Sequence, residues 1–413
     1  MIEFDRFTLE NGLRVIVHRD TSTPLAAINI LYDVGARDED SAKTGFAHLF
    51  EHLMFEGSVN IPSYDAPLQM AGGENNAFTN NDITNYYLTL PAANIETGFW
   101  LESDRMLKLD FSEEKLAVQK NVVIEEYKQN YLNNPYGDAW LLLRPLAYKT
   151  HPYRWPTIGK EISHIENTSL DEVKNFFFNH YLPNNAVMVV SGNVKTEEIK
   201  ELSEKWFGEI PQRNVPERNL PKEHIQTESR FLEVERDVPY DALYKVWHVC
   251  KRNDVDFYAF DLISDILGRG SSSRLFRRLV KEKQIFSSID AYVSGDLDEG
   301  LFVVSGKLVK GVKLADADAA VSEELEKIKQ ELVAVEELQK VKNKVESTLV
   351  FAEMSILEKA MELAYFELMG DAGLMNRETE KYSAVTAEQI QQQAKEVFKE
   401  ANCSTLYYKV KKS

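Results

Sequence analysis

The chain of 413 residues is long enough for about two or three domains, each with a full hydrophobic core. A formal net charge of −18 argues against binding to nucleic acids or anionic membranes, which needs basic surface patches, and two cysteines are too few for a disulfide framework. The N-terminal residues carry no secretion signal, and no apolar run is long enough to cross a bilayer, so we expect a cytoplasmic protein without membrane contact.

Short β-prone and amphipathic runs divide the first half of the chain into strands and helices. Two β-prone runs around Asn11-Gly12 predict a hairpin, because this dipeptide favours the tight turns that join antiparallel strands. The acidic stretch 38–40 precedes a helix predicted from about Lys43, where negative charge suits the helix N-terminus. The further predicted elements are strands at 25–36, 85–91 and 185–194 and helices at 94–107, 112–132 and 195–207.

The region 210–224 contains three prolines and scattered charges, which is typical of a linker. We therefore predict an N-terminal domain over 1–212, a linker over 213–223 and a C-terminal domain over 224–413. The second half repeats the order of the first: strands within 231–249, a helix from Asp256, strands at 287–295 and 300–308, long helices, and a last strand at 404–410.

A short ungapped correspondence indicates that the two halves arose by duplication. The stretch "HLFEHLMFEGS" (48–58) aligns with "DLISDILGRGS" (261–271), so that both halves contain a helix followed by a glycine turn. The aligned segment of the second half has no histidine, which predicts that this half keeps the scaffold and lacks the site. Each half is predicted to be an α+β domain, a mostly antiparallel sheet with helices against one face, because the strict βαβ alternation of a doubly wound parallel sheet is absent.

The stretch "GFAHLFEHLMFEGS" (45–58) places polar side chains where the apolar pattern predicts a buried helix face. On an α-helix, His48, Glu51 and His52 fall within an arc of about 100°, and the two histidines are one turn apart. A lone histidine here would be typical of a core residue, but two imidazoles one turn apart are a good zinc-binding pair. A tetrahedral catalytic zinc site needs one more protein ligand and a water, and Glu51 is placed to accept the proton of that water.

The H-x-x-E-H pattern resembles the inverted zinc signature of the pitrilysin or insulinase-like metallopeptidases, the inverzincins, which include the mitochondrial processing peptidases. The resemblance extends over nearly the whole chain, through "LENGLRVIV", "DVGARDED", "NNAFTNNDITNYY", "VVIEEY", "HPYRWPTIG" and "GSSSRLFRRL". It implies Zn²⁺ as the cofactor, His48 and His52 as ligands and Glu51 as the general base. It also implies that two tandem homologous domains form half of a clam-like chamber, which admits only short or unfolded peptides.

The resemblance further implies a third zinc ligand in the pair Glu125 and Glu126. Helical periodicity leaves both open, because each lies on a helix face that also carries apolar residues. The family register, in which the ligand ends a short V-V-x-x-E run, favours Glu126 and leaves Glu125 solvated or hydrogen-bonded to a ligand. Gln119 stands where many relatives carry a glutamate that supports the ligands, and we expect its neutral amide to tune the site without abolishing it.

The segment "GGENNAFTNND" (72–82) is typical of a glycine loop that leads into a strand. In relatives the matching segment is an edge strand beside the zinc, to which the peptide substrate adds as a further strand. By resemblance, Asn76, Ala77 and Phe78 are candidate substrate contacts. His151, in the proline-containing stretch "HPYRWP", is expected to have a structural role.

Family members that complete their site within one chain usually carry an arginine and a tyrosine in a segment like L-R-x-K-x-x-L-x-Y, where these residues hold the substrate and stabilise the oxyanion. The corresponding segment here is "LVKEKQIFS" (279–287), with Val280 and Ser287 at the two positions. Neither side chain can do this work. We therefore expect a homologous zinc-free partner subunit to supply the arginine and the tyrosine, with a homodimer as the other arrangement.

The leading interpretation is a zinc metalloendopeptidase that hydrolyses short or unfolded peptides as the zinc subunit of a heterodimer. The alternative is a non-catalytic scaffold, like the core subunits of respiratory complexes that resemble this family and usually have eroded metal motifs. The intact motif at 48–52 favours the enzyme. A third interpretation, a processing enzyme for one dedicated peptide, differs from the first only in the breadth of its substrates.

Overall fold

A computed structural model describes residues 1–411, and its strands form two separate sheets. The first sheet contains β1 (Asp5–Thr8), β2 (Arg14–Arg19), β3 (Leu25–Tyr32), β4 (Glu74–Thr79), β5 (Thr84–Pro91) and β6 (Ala186–Gly192). The second sheet contains β7 (Arg230–Arg236), β8 (Ala242–His248), β9 (Phe286–Val293), β10 (Leu301–Leu308) and β11 (Cys403–Val410).

Fourteen α-helices accompany the sheets within the described residues. Those of the first half are α1 (Phe46–Leu53), α2 (Asp65–Met70), α3 (Ile95–Leu107), α4 (Glu113–Tyr127), α5 (Ala139–Ala147), α6 (Ile162–Glu166), α7 (Leu170–His180) and α8 (Thr196–Phe207). Those of the second half are α9 (Phe257–Leu267), α10 (Leu314–Gln330), α11 (Val335–Ala352), α12 (Ile356–Leu368), α13 (Glu378–Ala384) and α14 (Ala387–Val397). None of them is long and apolar enough to cross a membrane.

The two sheets share one topology. The strand order is β1-β2-β6-β3-β5-β4 in the first sheet and β7-β11-β8-β10-β9 in the second. Without β1 the two orders correspond strand for strand, and the single parallel pair, β2 with β6, corresponds to the parallel pair β7 with β11. All other pairs are antiparallel. The prediction of two tandem homologous α+β domains with mostly antiparallel sheets is therefore confirmed.

Helices cover both faces of the first sheet, whereas one covered face was expected. On one face the apolar side of α12 packs against β3 and β6, with Ala360, Leu363 and Ala364 in a cluster with strand residues. On the other face the Tyr86 hydroxyl of β5 donates a hydrogen bond to the Phe50 carbonyl of α1. Because both faces are covered, β6 is buried along its whole length and its sequence is a continuous apolar run.

Contacts divide the chain into two compact units that are not continuous in sequence. The first unit contains residues 1–127, 155–220 and 350–377, and the second contains 128–154, 221–349 and 378–411. The stretch 350–377 belongs to the first unit because α12 buries its apolar side on the first sheet. The predicted boundaries of 1–212, 213–223 and 224–413 stay a prediction about the duplicated halves. The compact units do not follow these boundaries, because 128–154 belongs to the second unit and 350–377 to the first.

A buried ion pair attaches α12 to the first unit. The Lys359 ammonium lies 2.5 Å from Asp20 Oδ2, with 6% of the lysine side chain and 18% of the aspartate side chain exposed. The Lys359 hydrogen bond, assisted by Ser22, holds the pKa of the Asp20 carboxyl well below its usual range. The folded state is therefore stabilised by this carboxylate above the carboxyl's ordinary pKa, and that contribution is lost as the pH falls towards the lower folded value.

Asp20→Asn is expected to lower the free energy of unfolding by about 1–3 kcal/mol at neutral pH, because it leaves the buried Lys359 ammonium without its partner. Urea unfolding followed by circular dichroism at several pH values measures this difference. The gap between parent and variant should be constant at neutral pH and should narrow below about pH 4. Asp110→Asn, which breaks the more exposed pair with Lys115, is the control and should cost less than about 1 kcal/mol. A gap that widens in acid would contradict the prediction.

Candidate metal site

The helix α1 begins three residues later than predicted because Gly45 interrupts the backbone. Gly45 has φ +93, and a Cβ there would lie 2.8 Å from the carbonyl oxygen of Ile158, so the position requires glycine. The buried Glu39 carboxylate then accepts hydrogen bonds from the backbone N–H groups of Gly45 and Ala47, each at 2.9 Å. Both N–H groups lie at the start of the helix, where no intrahelical acceptor is available to them. Burial raises the pKa of the Glu39 carboxyl to about 8, and the two hydrogen bonds oppose that rise.

The sequence has an acidic stretch before α1 and does not distinguish Glu39 within it. Its neighbours Asp38 and Asp40 are equally acidic, so charge alone could not distinguish the three. The short distance in sequence between Glu39 and α1 could have identified it. The loop between them is short enough for the Glu39 side chain to reach the N–H groups at the start of the helix. Glu39 thus fixes the end of the helix that carries both histidines.

His48 and His52 lie one turn apart on α1, with ring centroids 4.9 Å apart and ring planes at 84°. Glu126, near the C-terminal end of α4, places Oε2 at 3.7 Å from His48 Nε2 and at 3.5 Å from His52 Nε2. One ligand atom from each of these residues lies within 4.8 Å of the other two. Two imidazoles and one carboxylate are a ligand set that zinc takes in catalytic sites, and such ligands around a tetrahedral zinc lie about 3.3–3.4 Å apart. The three side chains therefore fit a zinc ion.

The surroundings of His48 favour its neutral form. Both side chains are partly buried, with 13% of His48 and 25% of His52 exposed. Burial lowers the pKa of His48, and the second imidazole adds to that effect, while the nearby carboxylates of Glu126 and Glu51 oppose it. The neutral imidazole is the form that binds a metal.

Glu51 lies on α1 between the two histidines and is partly buried. Within residues 1–411, no hydrogen bond or ion pair occupies its carboxylate. A carboxylate in this state can accept a proton from a group bound beside it. The geometry thus leaves Glu51 available for the role of base that the sequence predicts.

The packing of α4 distinguishes Glu126 from Glu125. Along this helix Val123 and Tyr127 are buried, whereas Val122 is 42% exposed. Glu126 shares the buried face, which packs against α1, and Glu125 is exposed. Periodicity could not separate the two glutamates because an apolar residue also occupies the exposed face.

Gln119 lies two turns before Glu126 on α4 and is buried. Its amide nitrogen donates a hydrogen bond to the Glu56 carboxylate, just beyond α1, and no hydrogen bond joins Gln119 to either histidine within residues 1–411. The amide therefore links α4 to the end of α1. Its predicted influence on the metal ligands stays a prediction, and this link is a route by which it could act.

The candidate substrate residues lie on β4, the last strand of the first sheet. Asn76 and Phe78 are exposed, and Ala77 is buried. β4 pairs with β5 on one side only, and α1 packs beside it. An unpaired strand edge therefore lies next to the helix that carries His48 and His52.

The remaining predicted positions belong to the second unit. Val280 packs against the apolar core of that unit, and the Ser287 hydroxyl donates to the Lys307 carbonyl at 3.0 Å. His151 lies 3.4 Å from Asp298 and is buried. Neither Val280 nor Ser287 presents a cation or a free phenol.

Comparisons with known proteins agree with this architecture. The family model described as insulinase (peptidase family M16) matches residues 14–143, and the model described as peptidase M16 inactive domain matches residues 167–345. The zinc protease PqqE of Helicobacter pylori is 30% identical over 97% of this chain and 92% of its own. The crystal structure of a protease from Helicobacter pylori superposes with a TM-score of 0.95 at 27% identity, covering 99% of this chain and 100% of that chain.

The crystal structure of pitrilysin shares the fold at 17% identity, with a TM-score of 0.77. The alignment covers 100% of this chain and 45% of the pitrilysin chain, so pitrilysin contains about twice as much sequence. Sequence similarity over almost the whole chain, with the same two-domain fold, is what common descent predicts. The chain belongs to peptidase family M16, the insulinase family, whose relatives include proteins named zinc proteases.

Proposed function

We propose that this protein is a zinc-dependent endopeptidase that hydrolyses short or unfolded peptides and acts as the zinc-carrying subunit of a two-chain enzyme. The observation that carries the proposal is the convergence of His48, His52 and Glu126, from two helices, at distances that suit a tetrahedral metal. The names of the zinc protease relatives support the same metal and the same class of reaction.

A zinc ion held by these residues supplies Lewis acidity, which activates water and polarises a peptide carbonyl. His48, His52 and Glu126 would hold the metal through two ring nitrogens and one carboxylate oxygen. Glu51 takes the proton of the attacking water and then delivers it to the amine that leaves, so that one carboxylate acts first as base and then as acid. Its position on α1, beside both histidines, supports this role.

The free edge of β4 supports recognition of extended peptides. An unfolded peptide can pair with the unpaired N–H and C=O groups of an edge strand, which reads main chain more than side chains. In this proposal Asn76, Ala77 and Phe78 contact the substrate, and the packing of α1 beside β4 brings the scissile bond towards the metal. A folded protein has few strands free to pair in this way.

The two-chain part of the proposal rests on the absence of an arginine and a tyrosine at positions 280 and 287. Val280 packs against the core and has no polar group, and the Ser287 hydroxyl donates its proton to the Lys307 carbonyl, so neither is available to stabilise an oxyanion. The pitrilysin chain is about twice as long as this one, so a single pitrilysin chain has room for a second region of this size. A homologous zinc-free subunit would supply the missing pair here. A homodimer is the other arrangement, and it would have to stabilise the oxyanion by other groups.

The test combines metal content with cleavage of an unstructured, internally quenched peptide. The purified chain is compared with the chain co-expressed with a zinc-free homologue, each with and without a chelator, and a folded protein serves as the control substrate. About one zinc per chain, with chelator-sensitive cleavage of the peptide only in the pair, is the expected result. Full cleavage by the chain alone would overturn the two-chain part. Absence of zinc and of cleavage in both forms would overturn the enzyme and favour the non-catalytic scaffold.

A further inference from the structure

A single residue, Lys160, connects the two helices that carry the three candidate ligands. Its backbone N–H donates to the Thr44 hydroxyl at 2.7 Å, and its backbone carbonyl accepts from the Tyr127 hydroxyl at 3.2 Å. Thr44 lies four residues before His48, and Tyr127 directly follows Glu126. The two polar groups of one residue's main chain thus bond to side chains at the beginning of α1 and the end of α4.

The neighbouring Gly159 brings this connection into direct backbone contact with α1. A Cβ on Gly159 would lie 2.9 Å from the Thr44 carbonyl oxygen and 3.2 Å from the Gly45 Cα. Gly159 has φ +100 and Gly45 has φ +93, so both positions favour glycine by conformation as well as by space. The imidazole of His164, on α6, also accepts from the Thr44 N–H through Nδ1 at 3.1 Å. The start of α1 is therefore fixed to the 157–164 region by two hydrogen bonds and by the close backbone approach at Gly159.

The placement of α1 relative to α4 matters because no hydrogen bond orients the His48 ring. Its Nδ1 is buried and has no hydrogen-bond partner within residues 1–411. Metal-binding histidines usually donate that proton to an acceptor, which fixes the ring. In this protein the distance between the imidazoles and Glu126 therefore depends on the contacts that fix α1 relative to α4. Lys160 links them near the start of α1, and the Gln119–Glu56 bond links them beyond its end.

We propose that the main chain of Lys160 is a positioning element of the metal site, acting through the hydroxyls of Thr44 and Tyr127. The inference rests on the zinc site proposed above. Tyr127 and Thr44 contribute their hydroxyl groups to this connection, so each can be tested by a substitution that removes that hydroxyl. The Thr44 hydroxyl also lies 2.9 Å from His164 Nδ1, so Thr44→Val removes that contact as well, and Tyr127→Phe is the variant that changes the Lys160 bond without it. The side chains of His48, His52 and Glu126 are left intact by such changes.

The experiment measures zinc affinity by competition with a chromophoric chelator and records the visible spectrum of the Co²⁺-substituted protein, which reports ligand geometry without turnover. Tyr127→Phe and Thr44→Val are each expected to weaken zinc binding by about 10-fold or more and to change the Co²⁺ bands. Thr44→Ser, which keeps the hydroxyl, should restore the parent affinity and spectrum. Tyr148→Phe is the matched control, because its hydroxyl also donates to a backbone carbonyl, that of Glu299, in the second unit.

Parent-like affinity and an unchanged Co²⁺ spectrum in Tyr127→Phe and Thr44→Val would overturn the role of Lys160 while leaving the zinc site intact. An equal loss in Tyr148→Phe would also overturn it, because the effect would then be general destabilisation. A parent protein that binds no zinc would overturn both this inference and the proposed function. If Tyr127→Phe fails to fold, the comparison of Thr44→Val with Thr44→Ser decides.

Discussion

Glu51→Gln is expected to lower the rate of peptide hydrolysis by about 10²–10⁴-fold while zinc content stays at the parent level. Glutamine has nearly the same shape but cannot take a proton, so the proposed base is lost and the proposed ligands His48, His52 and Glu126 are unchanged. The measurement is kcat for the quenched peptide in the active form of the enzyme, together with zinc per chain. A loss of kcat with unchanged zinc content distinguishes a missing base from misfolding, because a misfolded variant would lose both activity and zinc.

Glu114→Gln is the control for this change, because it makes the same substitution at an exposed position on α4. It should leave the hydrolysis rate and the zinc content unchanged. Hydrolysis by Glu51→Gln at a rate close to that of the parent would rule out Glu51 as the base. Loss of zinc in that variant would instead mean that Glu51 supports the ligands, and the role of base would have to be assigned elsewhere.

Glu126→Gln is expected to weaken zinc binding by more than about 100-fold, a larger loss than is usual for residues that only support a ligand. The amide oxygen carries no charge, and the 3.5–3.7 Å spacing of the Glu126 carboxylate from the two imidazoles is what suits the metal. Competition with a chelator of known affinity gives the dissociation constants, and hydrolysis should fall in parallel when zinc is limiting.

Glu125→Gln provides a matched control one residue away on the same helix. Because Glu125 is exposed, its substitution should leave zinc affinity at the parent level. The opposite pattern, with zinc lost in Glu125→Gln and kept in Glu126→Gln, would assign the ligand to Glu125. It would also mean that α4 turns by about 100° relative to α1 when the metal binds.

Much of the secondary structure was readable from the sequence because its signals are local. The Asn11-Gly12 turn lies between β1 and β2, which pair in the antiparallel register of a hairpin. Gly12 has φ +86, the conformation that this turn requires. The apolar run at 185–194 forms the buried strand β6. The predicted helix at 112–132 matches a continuous helical stretch in two parts, α4 to Tyr127 and a π-helix directly after it over Lys128–Asn133.

Assignments that depend on packing were beyond the sequence. An amphipathic pattern identifies α12 as a helix, yet nothing local indicates that it returns to cover the first sheet. The close approach of Gly45 and Gly159 joins residues far apart in the chain, and each glycine alone is typical of any turn. Long-range contacts of this kind leave no periodic signal, because they depend on the path of the whole backbone.

In the candidate metal site, too, one part follows from local sequence and another depends on packing. The spacing of His48 and His52 by itself determined that their imidazoles lie one turn apart, because helical geometry is a property of neighbouring residues. Which glutamate approaches them was decided only by the tertiary structure, since apolar residues occupy both the buried and the exposed faces of α4. The sequence therefore predicted the type of chemistry, because that prediction depends on neighbouring residues, and the packing of α4 against α1 decided which glutamate lies beside the two histidines.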